Sequence, residues 1–348
     1  MIHGGEVHSY SHIKYDFSVN INPLGVPEGV VAAVKNGLEK MECYPDQECR
    51  ALRSALSMRL KVSEDEILCG NGASELILLM AEALRPGKTL LTAPSFLGYA
   101  HALNATGSEI QYFPLKAENG FKLTEDYLSY LNSDIELAIL CSPSNPVGNT
   151  IDSGLLKDIA ASCAEKGIYL LCDQCFAGFL ADEDGCSAIH FIRDEGISRY
   201  LLVLDAFTKR YAMPGIRLGY AVSGNKWLLS RMKSLQTEWS VSSLAQVAGL
   251  AALRTPEGYM IETLSLLGTE RKFLSEELQG LGIKVYTGDA NYIFFETEKQ
   301  IFRPLFDRGI LIRHCDNYVG LSDEHYRVAI KKHEDNEVLV SELKRIMY

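Results

Sequence analysis

The stretch LLVLDAFTKRYAMPGIRLGY, residues 201–220, runs from an aliphatic segment into a polar step at Thr208-Lys209, then through Gly215 and Arg217 into a second apolar run. A lysine that closes a buried strand has two readings. It snorkels, laying its stem on apolar surface with the ammonium in water, or it is held where it can react. The segments around it decide between these, and they also decide the fold.

Working outward, strands are predicted at KTLLTAP (88–94), EIQYFPL (109–115), ELAILCSP (136–143), GIYLLCDQCF (167–176), RYLLVLDAF (199–207) and RLGYAVS (217–223). Helical patterns such as SELILLMAEALR (74–85) and SGLLKDIAASCAEKG (153–167) lie between them. Near-continuous apolar strands alternating with helices predict an α/β architecture, a mostly parallel sheet covered on both faces. From about residue 240 the rhythm changes. Long helical stretches over 244–254 and 256–281 precede KVYTGDANYIFFET, GILIRHC and YRVAIK, and EDNEVLVSELKRIM closes the chain as a helix. The expected division is an irregular arm (1–35, containing NINPLGVP), a large domain (36–240) and a smaller α+β domain (241–348).

With 348 residues, 47% of them hydrophobic and 23% charged, the chain can bury a large core. Its 45 acidic residues against 34 basic ones, a net charge of -11, argue against a nucleic-acid partner, since phosphate neutralisation dominates that affinity. The opening MIHGGEVHSYSH is polar, and no apolar run approaches the roughly 20 residues that cross a bilayer. The expectation is a cytoplasmic protein with no membrane partner. Nine cysteines, an odd number with several inside apolar runs, fit reduced thiols. Cys172 and Cys175 resemble a metal or redox pair, but on one strand side chains three apart face opposite ways, so no metal site is expected.

In an open parallel sheet, ligands bind beyond the carboxyl ends of the strands. CGNGASE (69–75) is a turn opening a helix, and the amides of Gly72, Ala73 and Ser74 suit a phosphate; read alone, an ordinary turn capped by Asn71 or Ser74 is the favoured reading. It lacks the third glycine and partner acid of a dinucleotide fingerprint, which disfavours a nicotinamide cofactor. CSPSNPVGN (141–149) places Asn145 at the next strand end. Asp173 ends another apolar run, where a carboxylate is costly unless paired; the alternative is a turn aspartate. Lys209 and Arg217 follow. A phosphate cup, an amide, a carboxylate, a lysine and an arginine meet the needs of pyridoxal phosphate. That cofactor takes a lysine in a partly desolvated site for its imine link and a carboxylate against the pyridine nitrogen. It also takes donors for its ring hydroxyl and an arginine with helix amides for its phosphate. Phe96, in APSFLGYA, supplies an aromatic face. Lys209 is therefore read as the reactive lysine.

On these motifs the chain resembles the fold type I, class I/II aminotransferases along essentially its whole length. TKRYAMPGIRLGY is similar to their lysine motif, SPSNPVG to their asparagine motif, and DQCF to their Asp-Glu-Ala-Tyr or Asp-Glu-Ala-Phe segment. HGGE (3–6), DFSVNINPLGVP (16–27), YPD (44–46), RGILIRHCDNYVGL and YRVAI (within 308–330) resemble the branch of L-threonine-O-3-phosphate decarboxylases and histidinol-phosphate aminotransferases, the decarboxylases more closely.

The resemblance implies an aspartate aminotransferase-like fold and pyridoxal 5'-phosphate on Lys209. It pairs Asp173 with the ring nitrogen and Asn145 with the ring hydroxyl, and stacks Phe96 on the ring. Gly72, Ala73, Ser74, Thr208 and Arg217 would hold the cofactor phosphate, with Tyr44 reaching it from a second subunit of a homodimer. Arg327 would bind the carboxylate of a small amino-acid substrate; His3, Asn22 and Arg313 are candidates for a distal substrate phosphate. His8 and His12 are read as solvated arm residues. Some positions depart from the pattern. Glu6 stands where His-Gly-Gly is followed by asparagine, and an anion there opposes a phosphorylated substrate. Ser142 replaces an asparagine and Gln174 a glutamate. Phe176 lacks the hydroxyl that aminotransferases of this branch aim at the ring, which leans toward decarboxylation. The alternatives are transamination and, in a different class, a non-catalytic sensor, for which the chain has no room for a DNA-binding domain.

Overall fold

The computed structural model of the chain describes Gly5 and residues 9–348. A two-residue strand, β1 (Tyr15–Asp16), lies in the arm. The large sheet then takes β2 (Ile67–Gly70), β3 (Lys88–Ala93), β4 (Glu109–Pro114), β5 (Leu137–Cys141), β6 (Tyr169–Asp173), β7 (Leu201–Ala206) and β8 (Gly219–Val222). The smaller unit carries β9 (Lys284–Tyr286), β10 (Tyr292–Glu296), β11 (Ile310–Leu311), β12 (Arg313–His314) and β13 (His325–Ala329). Every residue of β5 and β7 is buried, as two-sided apolar strands between helical layers must be.

The seven-stranded sheet has the order β2-β8-β7-β6-β5-β3-β4. Its strands β3 to β7 pair in parallel, whereas β8 returns antiparallel between β7 and β2. Because β3 pairs with β4 on one side and β5 on the other, the winding reverses between β3 and β5. A crevice opens at that point, beyond the carboxyl ends. Cys141 lies beside Asp173, and Asp173 beside Leu204, so these ends share one row.

Four findings refine the sequence reading. The turn at 69–75 is fed by β2, which at four residues was too short to be predicted. The apolar run 167–176 is strand only as far as Asp173. Cys175 lies in the turn beyond, held by its own N–H donating to Asp173 Oδ1 at 3.0 Å; the geometry invoked for two cysteines on one strand does not apply. All nine cysteines are free, and among the described residues no group of histidine, cysteine or acidic side chains could hold a metal ion. The arm is partly ordered by pairing, because β1 adds in parallel to β11 and Phe17 enters the smaller unit's core. Finally, the helix Ser243–Leu253 packs on Glu28–Asn36 and Arg50–Leu60. Its Ala245, Ala248 and Ala252 join the core of the large unit, whereas Leu267, Leu274 and Leu278 of the helix Glu257–Gly280 join the smaller core beside Phe17, Phe176 and Phe179. Among the described residues, no helix is long and apolar enough to cross a membrane.

Candidate active site

Beyond the carboxyl ends of β3, β5, β6 and β7 lies a cavity of ≈470 Å3. The large unit brings Ala73, Ser74, Phe96, Asn145, Asp173, Thr208, Lys209 and Arg217 to its wall, and the smaller unit brings Arg313 and Arg327. Ser18, Val19 and Asn20 of the arm complete it. The strand ends thus gather residues far apart in sequence around one space.

Lys209 sits on a single helical turn, Phe207–Arg210, directly after β7. Its Nζ lies 5.7 Å from the centre of the Phe176 ring. Burial lowers its pKa to about 8; Arg327 and Arg217 push the same way, against Cys175 and Asp173. A large fraction of the amine is therefore neutral, hence nucleophilic, near pH 8. Asp173, 5% exposed, is oriented by two donors: Tyr99 Oη at 2.6 Å on Oδ2 and Cys175 N at 3.0 Å on Oδ1. Tyr99 is buried, meets Phe96 edge-on at 5.4 Å, and has its pKa pushed well up by burial and by Asp173. It stays protonated and donates its proton to the Asp173 carboxylate.

Arg327, on β13, donates through Nη1 to Asn145 Oδ1 and through Nη2 to the Ser18 carbonyl at 2.9 Å. Turned so that its oxygen faces the arginine, the Asn20 amide accepts from Nε and Nη1 at 3.2 Å. The guanidinium also lies 5.2 Å from the Tyr292 ring centre. These partners are neutral, so they fix the guanidinium without cancelling its charge. Arg313 is its cross-strand neighbour, 2% exposed, donating to the His314 carbonyl at 2.7 Å and to Asn317 Oδ1 at 2.6 Å.

Gly72 backs the cavity and opens the helix Ala73–Leu84 at φ +81°, and a Cβ there would meet Arg217 Nη2 at 2.5 Å. The close approach of guanidinium and turn makes a cradle for an anion. Gly72→Ala is therefore expected to weaken phosphate-bearing cofactor binding about 10-fold to 100-fold, through displaced Arg217 and a strained φ; a fluorescence titration measures it.

The structure does not bring every expected residue here. Asn22 is a correction. It is buried, and its Nδ2 donates to the Arg210 carbonyl at 2.9 Å and Thr263 Oγ1 at 2.8 Å, while its Oδ1 accepts from Leu24 N at 3.0 Å. With its own N–H on the Lys209 carbonyl at 3.0 Å, it holds the turn that carries the lysine rather than facing ligand. Tyr44 lies apart, 79% exposed and stacked on Trp239 at 4.4 Å. His12 meets the Phe306 carbonyl at 3.0 Å. His3, Glu6 and His8 lie outside the described residues. Gln174 points away from the cavity, spanning the Cys186 carbonyl and Ala188 N at 3.0 Å each. Ser142 Oγ accepts from Ile151 N, also at 3.0 Å. Tyr99, Ser18 and Asn20 were missed; the only hint was Tyr99 three residues after Phe96, one helical turn along.

The sequence matches the family described as Aminotransferase class I and II over residues 12–343. It is 35% identical to a threonine-phosphate decarboxylase of Salmonella typhimurium, covering 99% of this chain and 96% of that protein. It is 29% identical to histidinol-phosphate aminotransferase 2 of Carboxydothermus hydrogenoformans, covering 94% and 90%. The fold superposes on a crystal structure of the histidinol-phosphate aminotransferase from Clostridium acetobutylicum with a TM-score of 0.89 and 29% identity, over 96% of this chain and 99% of the other.

Proposed function

From the premise that this chain belongs to the class I and II aminotransferase family, we propose that it decarboxylates a small amino acid bearing a distal phosphate. Its family uses pyridoxal 5'-phosphate, and the residues present fit that group. A buried lysine with a depressed pKa, a carboxylate aimed by two donors, and a glycine pressed against an arginine meet its aldehyde, ring nitrogen and phosphate in turn. When bound, pyridoxal 5'-phosphate supplies an electron-withdrawing ring that stabilises negative charge at the substrate α-carbon.

The chain's own residues would do the rest. Lys209 would hold the cofactor and afterwards carry a proton on Nζ. Asp173 would keep the ring nitrogen protonated, while the Tyr99 hydroxyl fixes the carboxylate's direction. Phe96 would cover one face of the ring. Ala73, Ser74, Thr208 and Arg217 would seat the phosphate, and Asn145 would offer its amide to the ring hydroxyl while its oxygen steadies Arg327. The single observation that carries an amino-acid substrate is Arg327, a buried guanidinium that, among the described residues, is held by neutral oxygens and an aromatic face. A carboxylate is the partner that complements such a group. Arg313 on the neighbouring strand favours a second anion beside the first.

Two observations lean toward decarboxylation: the 35% identity to a threonine-phosphate decarboxylase, and Phe176, which puts an apolar ring beside Lys209. Transamination is the second reading, favoured by the histidinol-phosphate aminotransferases among similar proteins. A homodimer in which Tyr44 serves the other copy's site agrees with that side chain's exposure. The test is product analysis with L-threonine phosphate. Carbon dioxide released in step with substrate lost is expected; a phosphorylated oxo acid, with aminated cofactor accumulating, would make the enzyme an aminotransferase.

A further inference from the structure

We propose that Cys49 and Cys69 form an oxidisable dithiol, which a hydroperoxide converts to an intramolecular disulfide at the root of the turn 69–75. Cys49 immediately precedes the helix Arg50–Leu60 and holds a left-handed φ of 48°. Cys69 is the third residue of β2, which packs against that helix. Both line a second cavity, of ≈270 Å3, together with Arg53 and Lys233. It shares no lining residue with the candidate active site.

The two thiols lie within hydrogen-bonding reach of each other, and they are unequal. The Cys69 thiol, donating to Cys49, holds the Cys49 pKa below the usual thiol value; burial opposes this, Lys233 assists, and Asp46 and Glu48 oppose. Cys69 is pushed well above that value by the same pairing and by burial. Cys49, at the N-terminus of the helix Arg50–Leu60 and in a cavity it shares with Arg53 and Lys233, is the attacking sulfur, and Cys69, inside β2, is the resolving one. The Cys49 thiolate attacks one oxygen of hydrogen peroxide and the O–O bond breaks; the departing hydroxide takes up the proton the Cys49 thiol had released and leaves as water, giving a sulfenic acid on Cys49. The Cys69 sulfur then displaces the hydroxyl from Cys49. Its thiol proton leaves with that hydroxyl as a second water, so two electrons pass from the thiols to the peroxide.

The bond would act on the turn that follows. The Cys69 carbonyl accepts from Gln236 Nε2 at 3.0 Å, and the same amide donates to Glu75 Oε2 at 3.0 Å. Glu75 Oε2 also holds Asn71 N at 2.7 Å. Closing the disulfide draws the sulfurs to about 2 Å, which pulls on the end of β2 and on the turn leading to Gly72. This coupling, though not the disulfide itself, rests on reading that turn as the cofactor's phosphate cradle.

The experiment treats wild-type holoenzyme with hydrogen peroxide, alkylates free thiols, digests the chain and weighs the peptides. The expected product joins the Cys49 and Cys69 peptides, about 2 Da lighter than their sum for the two hydrogens lost, and dithiothreitol separates it. In Cys69→Ser, Cys49 is expected to accumulate as a dimedone-trapped sulfenic acid. Recovery of both residues as free thiols while Cys43 is oxidised would overturn the proposal, and so would Cys49 joined to a different cysteine. Oxidised holoenzyme is expected to lose cofactor severalfold faster on gel filtration, reversibly with dithiothreitol. A disulfide that leaves retention unchanged would overturn the coupling alone.

Discussion

Lys209→Ala is expected to lower turnover at least about 10⁴-fold, about 5 kcal/mol of barrier, because it removes both the attachment point and the group that moves protons. The cofactor should still bind, more weakly, through Arg217, the turn at Gly72 and Asp173. The pKa of Lys209, lowered to about 8 by burial, makes the amine available near neutrality, and alanine cannot replace that. A small primary amine such as ethylamine fits the space left by the stem and should restore part of the lost rate. Steady-state turnover with and without added amine checks this. Full activity in the variant would show that Lys209 is a bystander. Loss of cofactor with no rescue would point to a merely structural role.

Asp173→Asn is expected to cost roughly 10³-fold in turnover, about 4 kcal/mol, with little change in cofactor affinity. The amide has the same shape and can still accept from Tyr99 through its oxygen, but it carries no charge to keep the ring nitrogen protonated. Tyr99 and Cys175 use both carboxylate oxygens as acceptors, so the amide loses the bond from the Cys175 N–H together with the charge, and the cofactor dissociation constant reports the part that comes from position. The readout is kcat beside the cofactor dissociation constant. A proportionate loss of both would mean that Asp173 serves the fold.

What could be read from the sequence follows from how far each contact reaches. Lys209, Asp173 and Asn145 each end an apolar run, and alternation of strand and helix sends all such ends to one edge; their convergence needs no knowledge of packing. The Tyr99–Asp173 bond spans 74 positions and the Arg327–Ser18 bond 309, and no local pattern encodes either. Asn22 misled for the opposite reason. It lies close in sequence to the arm residues at the cavity, yet its amide is consumed by Arg210 and Thr263. Cys175 reads as strand because its neighbours are apolar, but the carboxylate of Asp173 captures the Cys175 N–H and turns the chain. The helix Ser243–Leu253 reads as the start of the smaller unit because the rhythm changes there. Its small residues instead fit against Leu52 and Gly37, where Val247 lies 3.3 Å from the position a Cβ would take at Gly37.

The measurement that bears most directly on the whole account is borohydride reduction of the holoenzyme, followed by digestion and mass mapping of the modified peptide. Lys209 should carry the reduced phosphopyridoxyl group at close to one per chain, with the visible absorbance lost in parallel and no other lysine labelled. A label on a different lysine, or a coloured protein from which reduction fixes nothing, would contradict the site built here around the end of β7.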